Sequence, residues 1–281
     1  MAEQNAPPSS ETDRIALLLA DICSLAGVTV MDVYNSDFET RSKADLSPVS
    51  DADERAEAII LERLARDLPG IPVLAEEAVA AAGSLPTGQF TVDGMMLLVD
   101  PVDGTKEFIQ KRGDFTVNIA LVENGSSIAG CVFAPARREM YFGAGRAYAN
   151  LGFAAGSQPE ASDAYEIRTR PYPRAGLTAV TSSSHLDAQT LAFLGQYGVL
   201  ERTAIGSSLK FCLVASGVAD IYPRFGPTME WDTAAGQAVL EAAGGYVSHP
   251  DGTPFTFGHV ERGFLNPPFI AWGGRPLPRL G

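Results

Sequence analysis

LVDPVDGTKEF (residues 98–108) continues the apolar run that begins at Met95. An apolar run that turns acidic reads as a buried strand, MMLLV (95–99), arriving at a polar site. Pro101 fixes an extended or turn backbone after Asp100, and Gly104 permits a tight turn, so the carboxylates of Asp100 and Asp103 can converge at the strand end. Convergent carboxylates repel unless a cation holds them, and an all-oxygen set suits magnesium, manganese or calcium better than zinc. The same residues also fit an aspartate-capped turn leading into a helix at TKEF, so evidence elsewhere in the chain must decide.

Upstream, IPVLA (71–75) is a short strand that stops at Glu76 and Glu77. Alone, that pair fits a solvated loop; with the two strands side by side, Glu76 would lie next to Asp100. Downstream, Asp232 in MEWDTAAG stands at the start of a helix whose Ala234, Ala235, Gly236 and Ala238 allow another element to approach closely. It can serve as an N-cap, or as a ligand at the mouth of that helix.

Residues 1–9 read as a loose arm. Ser10 and Asp13 have capping-box spacing before a helix with Ile15, Leu18, Leu19, Ile22, Leu25 and Ala26 on one face. In SKADLSPVSDADERAEAIILERL (42–64) a polar loop gives way to a second helix, with Ser50 and Asp53 again at cap spacing. AVAAAGSLPTGQF (78–90) has the composition of a flexible linker. FTVNIALV (115–122), SSIAGCVF (126–133) and REMYFGAG (138–145) form an antiparallel meander. The small, turn-prone stretch 152–163 suggests a boundary between an N-terminal α+β subdomain (10–155) and a C-terminal α/β subdomain (156–281). In the second half LTAVTS, LERTAI, ADIYPRF and FIAW read as strands, interleaved with helices at LDAQTLAFLGQ, SSLKFCLVASG and WDTAAGQAVLEAAG.

Composition narrows the class. The 281 residues, 46% hydrophobic and 20% charged, suit a folded enzyme of two ordinary domains. With 21 basic against 34 acidic residues the net charge of -13 gives no support to binding polymeric nucleic acid. Cys23, Cys131 and Cys212 are widely spaced among apolar neighbours and read as buried free thiols. No window of 18 uncharged apolar residues suggests an integral membrane segment, and a cytoplasmic location is the default expectation.

Taken together, LVDPVDGTKEF, the Glu76-Glu77 pair and WDTAAG (231–236) resemble the metal-dependent, lithium-sensitive phosphomonoesterase family that includes inositol monophosphatases and fructose bisphosphatases. SKADLSPVSDAD (42–53), TKEFIQKRGDFTVNIALV (105–122) and IGSSLKFCLVASGVADIYPRFGPTMEWDTAAG (205–236) are similar to its branch of 3'(2'),5'-bisphosphate nucleotidases of CysQ type. The resemblance implies an α/β fold, a layered α+β sandwich of inositol monophosphatase type. It implies that Glu76, Asp100 and the Val102 carbonyl hold one magnesium, that Asp100, Asp103 and Asp232 hold a second, and that Glu76 serves a third, weaker ion; manganese is a substitute. Thr105, with Asp53, would orient or activate the attacking water, which makes Thr105, Asp53 and Glu76 the catalytic set. Glu76, Val102, Asp103, Gly104, Thr105 and Asp232 would surround the phosphate, and the loop of Lys43 and Asp45 would act as a flap. Asp53 also fits a capping role beside Ser50.

The same resemblance implies the substrate. Lys106 and Glu107 after Thr105 depart from the Thr-Asn pair of inositol monophosphatases and match the nucleotidase branch. Ser183, Ser184 and His185 follow a strand, where a ligand is commonly met, though His185 equally fits a helix start. Ser207, Ser208 and Lys210 resemble positions near the nucleotide; Lys210 and Arg224 would face its 5'-phosphate, and Tyr222 would stack or fill space. The implied reaction is hydrolysis of the 3'-phosphate of adenosine 3',5'-bisphosphate to AMP and phosphate, in the clearance of a by-product of sulfur metabolism. The resemblance also allows 3'-phosphoadenylyl sulfate as a substrate, and inositol-1-phosphatase or broad sugar phosphatase activity is the alternative. The resemblance implies a monomer or a homodimer, with a peripheral contact at the inner membrane face as the alternative location.

Overall fold

The computed structural model describes residues 11–36, 40–42, 48–83, 90, 92–184 and 186–279, with backbone alone at 40–42 and 48–50. Helix α1 (Glu11–Tyr34) buries Ala16, Leu19, Ala20, Ile22, Cys23, Ala26, Val30 and Val33, an apolar stripe that outruns the expected face by two turns. Among the described residues it is the one helix long and apolar enough to cross a membrane, yet half of its apolar window is buried inside the fold. Ser10, Lys43 and Asp45 lie outside the described residues. Strands β1 (Thr40–Ser42) and β2 (Pro48–Ser50) pair antiparallel and lead into α2 (Asp51–Asp67).

β3 (Val73–Ala75) runs directly into α3 (Glu76–Ala82), so the first part of the expected flexible linker is helical. Alanine is the strongest helix former, and Gly83, at φ 62°, closes α3 with a left-handed cap. β4 (Met95–Asp103) and, after the helix α4 (Thr105–Ile109), β5 (Thr116–Glu123), β6 (Ser126–Ala134), β7 (Glu139–Gly143), β8 (Ala147–Leu151) and β9 (Tyr165–Ile167) complete the first sheet, in the order β3-β4-β5-β6-β7-β8-β9. Only its β3–β4 pair is parallel; the expected meander is its centre. β9 lies beyond the turn-prone stretch at 152–163 and still pairs with β8, so the chain changes sheet after Ile167.

β10 (Leu177–Ser182), α5 (Ala188–Leu194), β11 (Val199–Ile205), α6 (Leu209–Ala215) and β12 (Ile221–Arg224) alternate as the sequence suggests. A 3-10 turn (Glu230–Asp232), α7 (Ala234–Ala242), β13 (Tyr246–Ser248) and β14 (Phe269–Trp272) follow. The second sheet has the order β11-β10-β12-β14-β13.

Five layers result. Residues of α1 and α2 share one core with Leu97, Val99, Ile119 and Phe133 on one face of the first sheet. The opposite face, with Leu98, Ala120 and Val132, packs on α6 and α7, which also meet Tyr222, Phe269 and Ala271 of the second sheet. Phe193 and Leu194 of α5 cover the outer side of that sheet with Ile221, Ile270 and Trp272. The chain therefore forms an alternating α and β sandwich. At Gly130 on β6 an added Cβ would stand 2.8 Å from the Ala235 carbonyl oxygen, so only glycine lets α7 lie this close. Phe108 on α4 meets Phe115 (centroids 4.8 Å apart) and Tyr34 at the end of α1 (5.1 Å). Burying Phe108 completely contributes roughly 1.5–3 kcal/mol and pins the turn after Asp103 to α1.

Candidate active site

Residues three apart on a regular strand point to opposite faces. β4 avoids this: Asp100 pairs with Asn118 and Asp103 with Thr116, so three steps on β4 span two on β5. This bulge at Pro101-Val102 turns both carboxylates toward one cavity. The aspartates thus sit within a distorted strand, where the sequence suggested that the strand had already ended. Gly104 follows at φ 92°, and a Cβ there would meet the Asp114 carbonyl oxygen at 3.1 Å, so the turn into α4 requires glycine.

Ala75 of β3 pairs with Val99, which places Glu76 beside Asp100 as the spacing predicts. Glu76, Asp100, Val102, Asp103, Gly104, Thr105 and Asp232 line a cavity of about 390 Å³, together with Ser208, Lys210, Tyr222 and Arg224. Thr105 donates its hydroxyl to the Val102 carbonyl at 3.3 Å. Asp232 Oδ2 accepts the Met229 amide at 2.8 Å, so it caps its own 3-10 turn while lining the cavity. Asp53 is 2% exposed on α2 and acts on Asp100 through its charge.

The electrostatics are those of crowded anions. Burial pushes the Asp100 carboxyl well above the ordinary range, and Glu76, Asp103, Asp232 and Asp53 push it further. Asp232 is raised by burial, then by Asp103 and Glu76. Asp103 is raised by burial, against the opposing pull of Lys210 and Ser208. Among the described residues no hydrogen-bond donor reaches Asp100 Oδ1, although the residue is only 1% exposed. A buried oxygen of this kind costs free energy until a donor or cation meets it. Hard oxygen donors, mutual repulsion and this orphaned atom fit a divalent cation such as magnesium. Among the described residues no three acidic, histidine or cysteine side chains are already drawn together at metal-ligand spacing.

Among the other lining residues, burial pushes Lys210 down to about 8, with Asp103 opposing that shift; its ammonium donates to the Ser207 carbonyl. Arg224 donates to the carbonyls of Gly226 (3.2 Å) and Pro227 (3.0 Å). Tyr222 packs edge-on against Phe211 and Phe269 while its other side lines the cavity. Ser183 and Ser184 are placed differently from expectation: both hydroxyls donate to Glu107 Oε1, and Ser182 is the serine of that strand end that lines the cavity. His185 lies outside the described residues.

The sequence did not point to Glu57, and it marked Glu107 only as a branch feature, without its structural contact. Glu107 ties α4 to the loop after β10. Glu57 binds the amides of Glu77 and Ala78. Glu57 stands four residues after Asp53 on α2, a same-face spacing that the sequence did show.

Comparison with known proteins agrees with this architecture. Over 260 residues the chain is 44% identical to the 3'(2'),5'-bisphosphate nucleotidase CysQ of Escherichia coli O6:H1, covering 90% of this chain and 98% of that one. The crystal structure of CysQ from Bacteroides thetaiotaomicron, at 33% identity, superposes with a TM-score of 0.76 over 94% of this chain and 98% of that chain. An inositol monophosphatase from Anabaena shares the fold at 23% identity, with a TM-score of 0.70 over 95% and 93% of the two chains. The family model described as inositol monophosphatase family matches residues 12–268, and the chain belongs to that family.

Proposed function

We propose that this chain is a magnesium-dependent 3'(2'),5'-bisphosphate nucleotidase that hydrolyses the 3'-phosphate of adenosine 3',5'-bisphosphate to AMP and phosphate. The observation that carries the chemistry is the meeting of Glu76, Asp100, Asp103 and Asp232 in one cavity, where Asp100 keeps a buried oxygen without a donor. The 44% identity to a CysQ nucleotidase along almost its whole length supports the substrate.

In this reading Glu76, Asp100 and the Val102 carbonyl would hold one magnesium, Asp100, Asp103 and Asp232 a second, and Glu76 also a third. When bound, magnesium neutralises the phosphate dianion and acidifies the attacking water. Thr105 orients that water through Oγ1, and Asp53 takes up its proton. The Gly104 and Thr105 amides receive phosphate oxygens at the start of α4. Lys210, in its charged form below about pH 8, and Arg224 hold the 5'-phosphate that is not cleaved. Tyr222 bounds the nucleoside. Ser208 stands between the two groups of residues, and the resemblance assigns His185 to the nucleotide.

The reading also includes action on 3'-phosphoadenylyl sulfate, inhibition by lithium, a cytoplasmic monomer or homodimer, and two subdomains, the first supplying most metal ligands. Phosphate release from adenosine 3',5'-bisphosphate and inositol 1-phosphate at matched concentrations, across a magnesium titration with and without lithium, tests it. The bisphosphate is the expected better substrate, in a strictly magnesium-dependent reaction. Preference for the inositol ester would overturn the substrate, and undiminished turnover after chelation would overturn the metal assignment.

A further inference from the structure

Glu57 is 4% exposed on α2, one turn beyond Asp53. Its Oε2 accepts the Glu77 amide and its Oε1 the Ala78 amide, each at 2.7 Å. Those amides lie in the first turn of α3 and have no acceptor within that helix. The residue before α3, Ala75, offers no side-chain cap. Nor does packing anchor α3, because none of its residues is buried and Val79 alone is partly packed against the core. The first residue of α3 is Glu76.

We propose that Glu57 is a positioning residue for Glu76: by clamping the two amides that follow it, Glu57 holds the Glu76 carboxylate at the edge of the cavity beside Asp100. A clamp at two consecutive amides fixes the position and the rotation of the backbone leaving Glu76. A side chain on a weakly packed helix would otherwise swing with that helix. The arrangement is costly as mere capping. Burial pushes Glu57 up to about 7 despite the two amide bonds that favour its charge, and the nearby Glu77 and Glu76 add to the rise. A short side chain at residue 75 would cap α3 without bringing another acid toward an acidic cavity. The inference rests on the assignment of Glu76 to the metal site.

Manganese binding to the purified full chain, measured by titration calorimetry, tests the clamp without relying on turnover. Two variants separate reach from charge. Glu57→Asp keeps the charge but is too short to bridge both amides; Glu57→Gln keeps the length but replaces one acceptor with a donor. Circular dichroism establishes that each is folded, and the isosteric glutamine variant carries the test if the aspartate variant does not fold. Both are expected to weaken manganese binding by about tenfold. Affinity within twofold of wild type in a folded variant, even one with a lower melting temperature, would overturn the proposal. So would weakening by Glu57→Gln with none in folded Glu57→Asp, which would mark a charge effect. If the wild-type chain bound no manganese, the metal assignment itself would fall, an outcome distinct from unchanged binding in the variants.

Discussion

The Ser208 hydroxyl lies 3.0 Å from Asp103 Oδ2, joining residues 105 positions apart. The same oxygen is 2.6 Å from the Asp232 carbonyl and accepts the Asn118 amide at 3.1 Å. One hydroxyl therefore links β4, β5, α6 and the turn that carries Asp232.

Ser208→Ala should leave the Asn118 amide without its acceptor and free both Asp103 and Asp232 to shift. We expect a stability loss of about 1–3 kcal/mol in urea unfolding. The magnesium concentration for half-maximal phosphate release should rise by about tenfold. Unchanged magnesium dependence would mean that the serine fills space without ordering the carboxylates.

Asp100→Asn should separate function from stability. Because Asp100 is buried among four acidic neighbours, its charge opposes the folded state at neutral pH. Its neutral isostere should nearly abolish magnesium-dependent phosphate release and raise metal-free stability by about 1 kcal/mol. For a domain of this size that is roughly a 2–4 °C higher melting temperature. Near-wild-type turnover would remove Asp100 from the centre of the site.

Glu241, away from the cavity, gives a pH signature of its own. Burial pushes it up to about 7, against hydrogen bonds from the Val247 amide and Gln237. The folded chain keeps this proton as pH rises from the ordinary 4.5 toward 7, while the unfolded chain releases it. The contribution is thus fully present below 4.5 and is lost as pH climbs through 7. Glu241→Gln should melt progressively higher than wild type as pH is raised from 5 to 8 by scanning calorimetry. A gap independent of pH would show that the carboxyl does not titrate in this window.

The local chemistry of the site was legible wherever one segment carried it. The apolar run into Asp100, the short strand before Glu76 and the small residues after Asp232 each announce their element, and pairing the strands was enough to bring the acids together. The bulge that aligns Asp100 with Asp103 was half visible, since proline and glycine show that the backbone departs from regularity without saying which way. Contacts made between segments were not legible. Nothing in SSS at 182–184 tells that two hydroxyls turn to Glu107. The alanines of α3 look like linker because their helix is held by Glu57 from another element. β9 is only three residues long, and its place in the first sheet is settled by its pairing with β8.

The close seat of α7 on Gly130 governs how the molecule could be divided. A chain cut within 152–163 would give an N-terminal piece whose first sheet lacks β9 and, on one face, its cover of α6 and α7, and a C-terminal piece with the matching apolar surface of those helices laid bare. Such fragments would be complementary instead of autonomous: each would need the other to complete its interior, and reassociation would restore Asp232 to the acids of β4 in the same step.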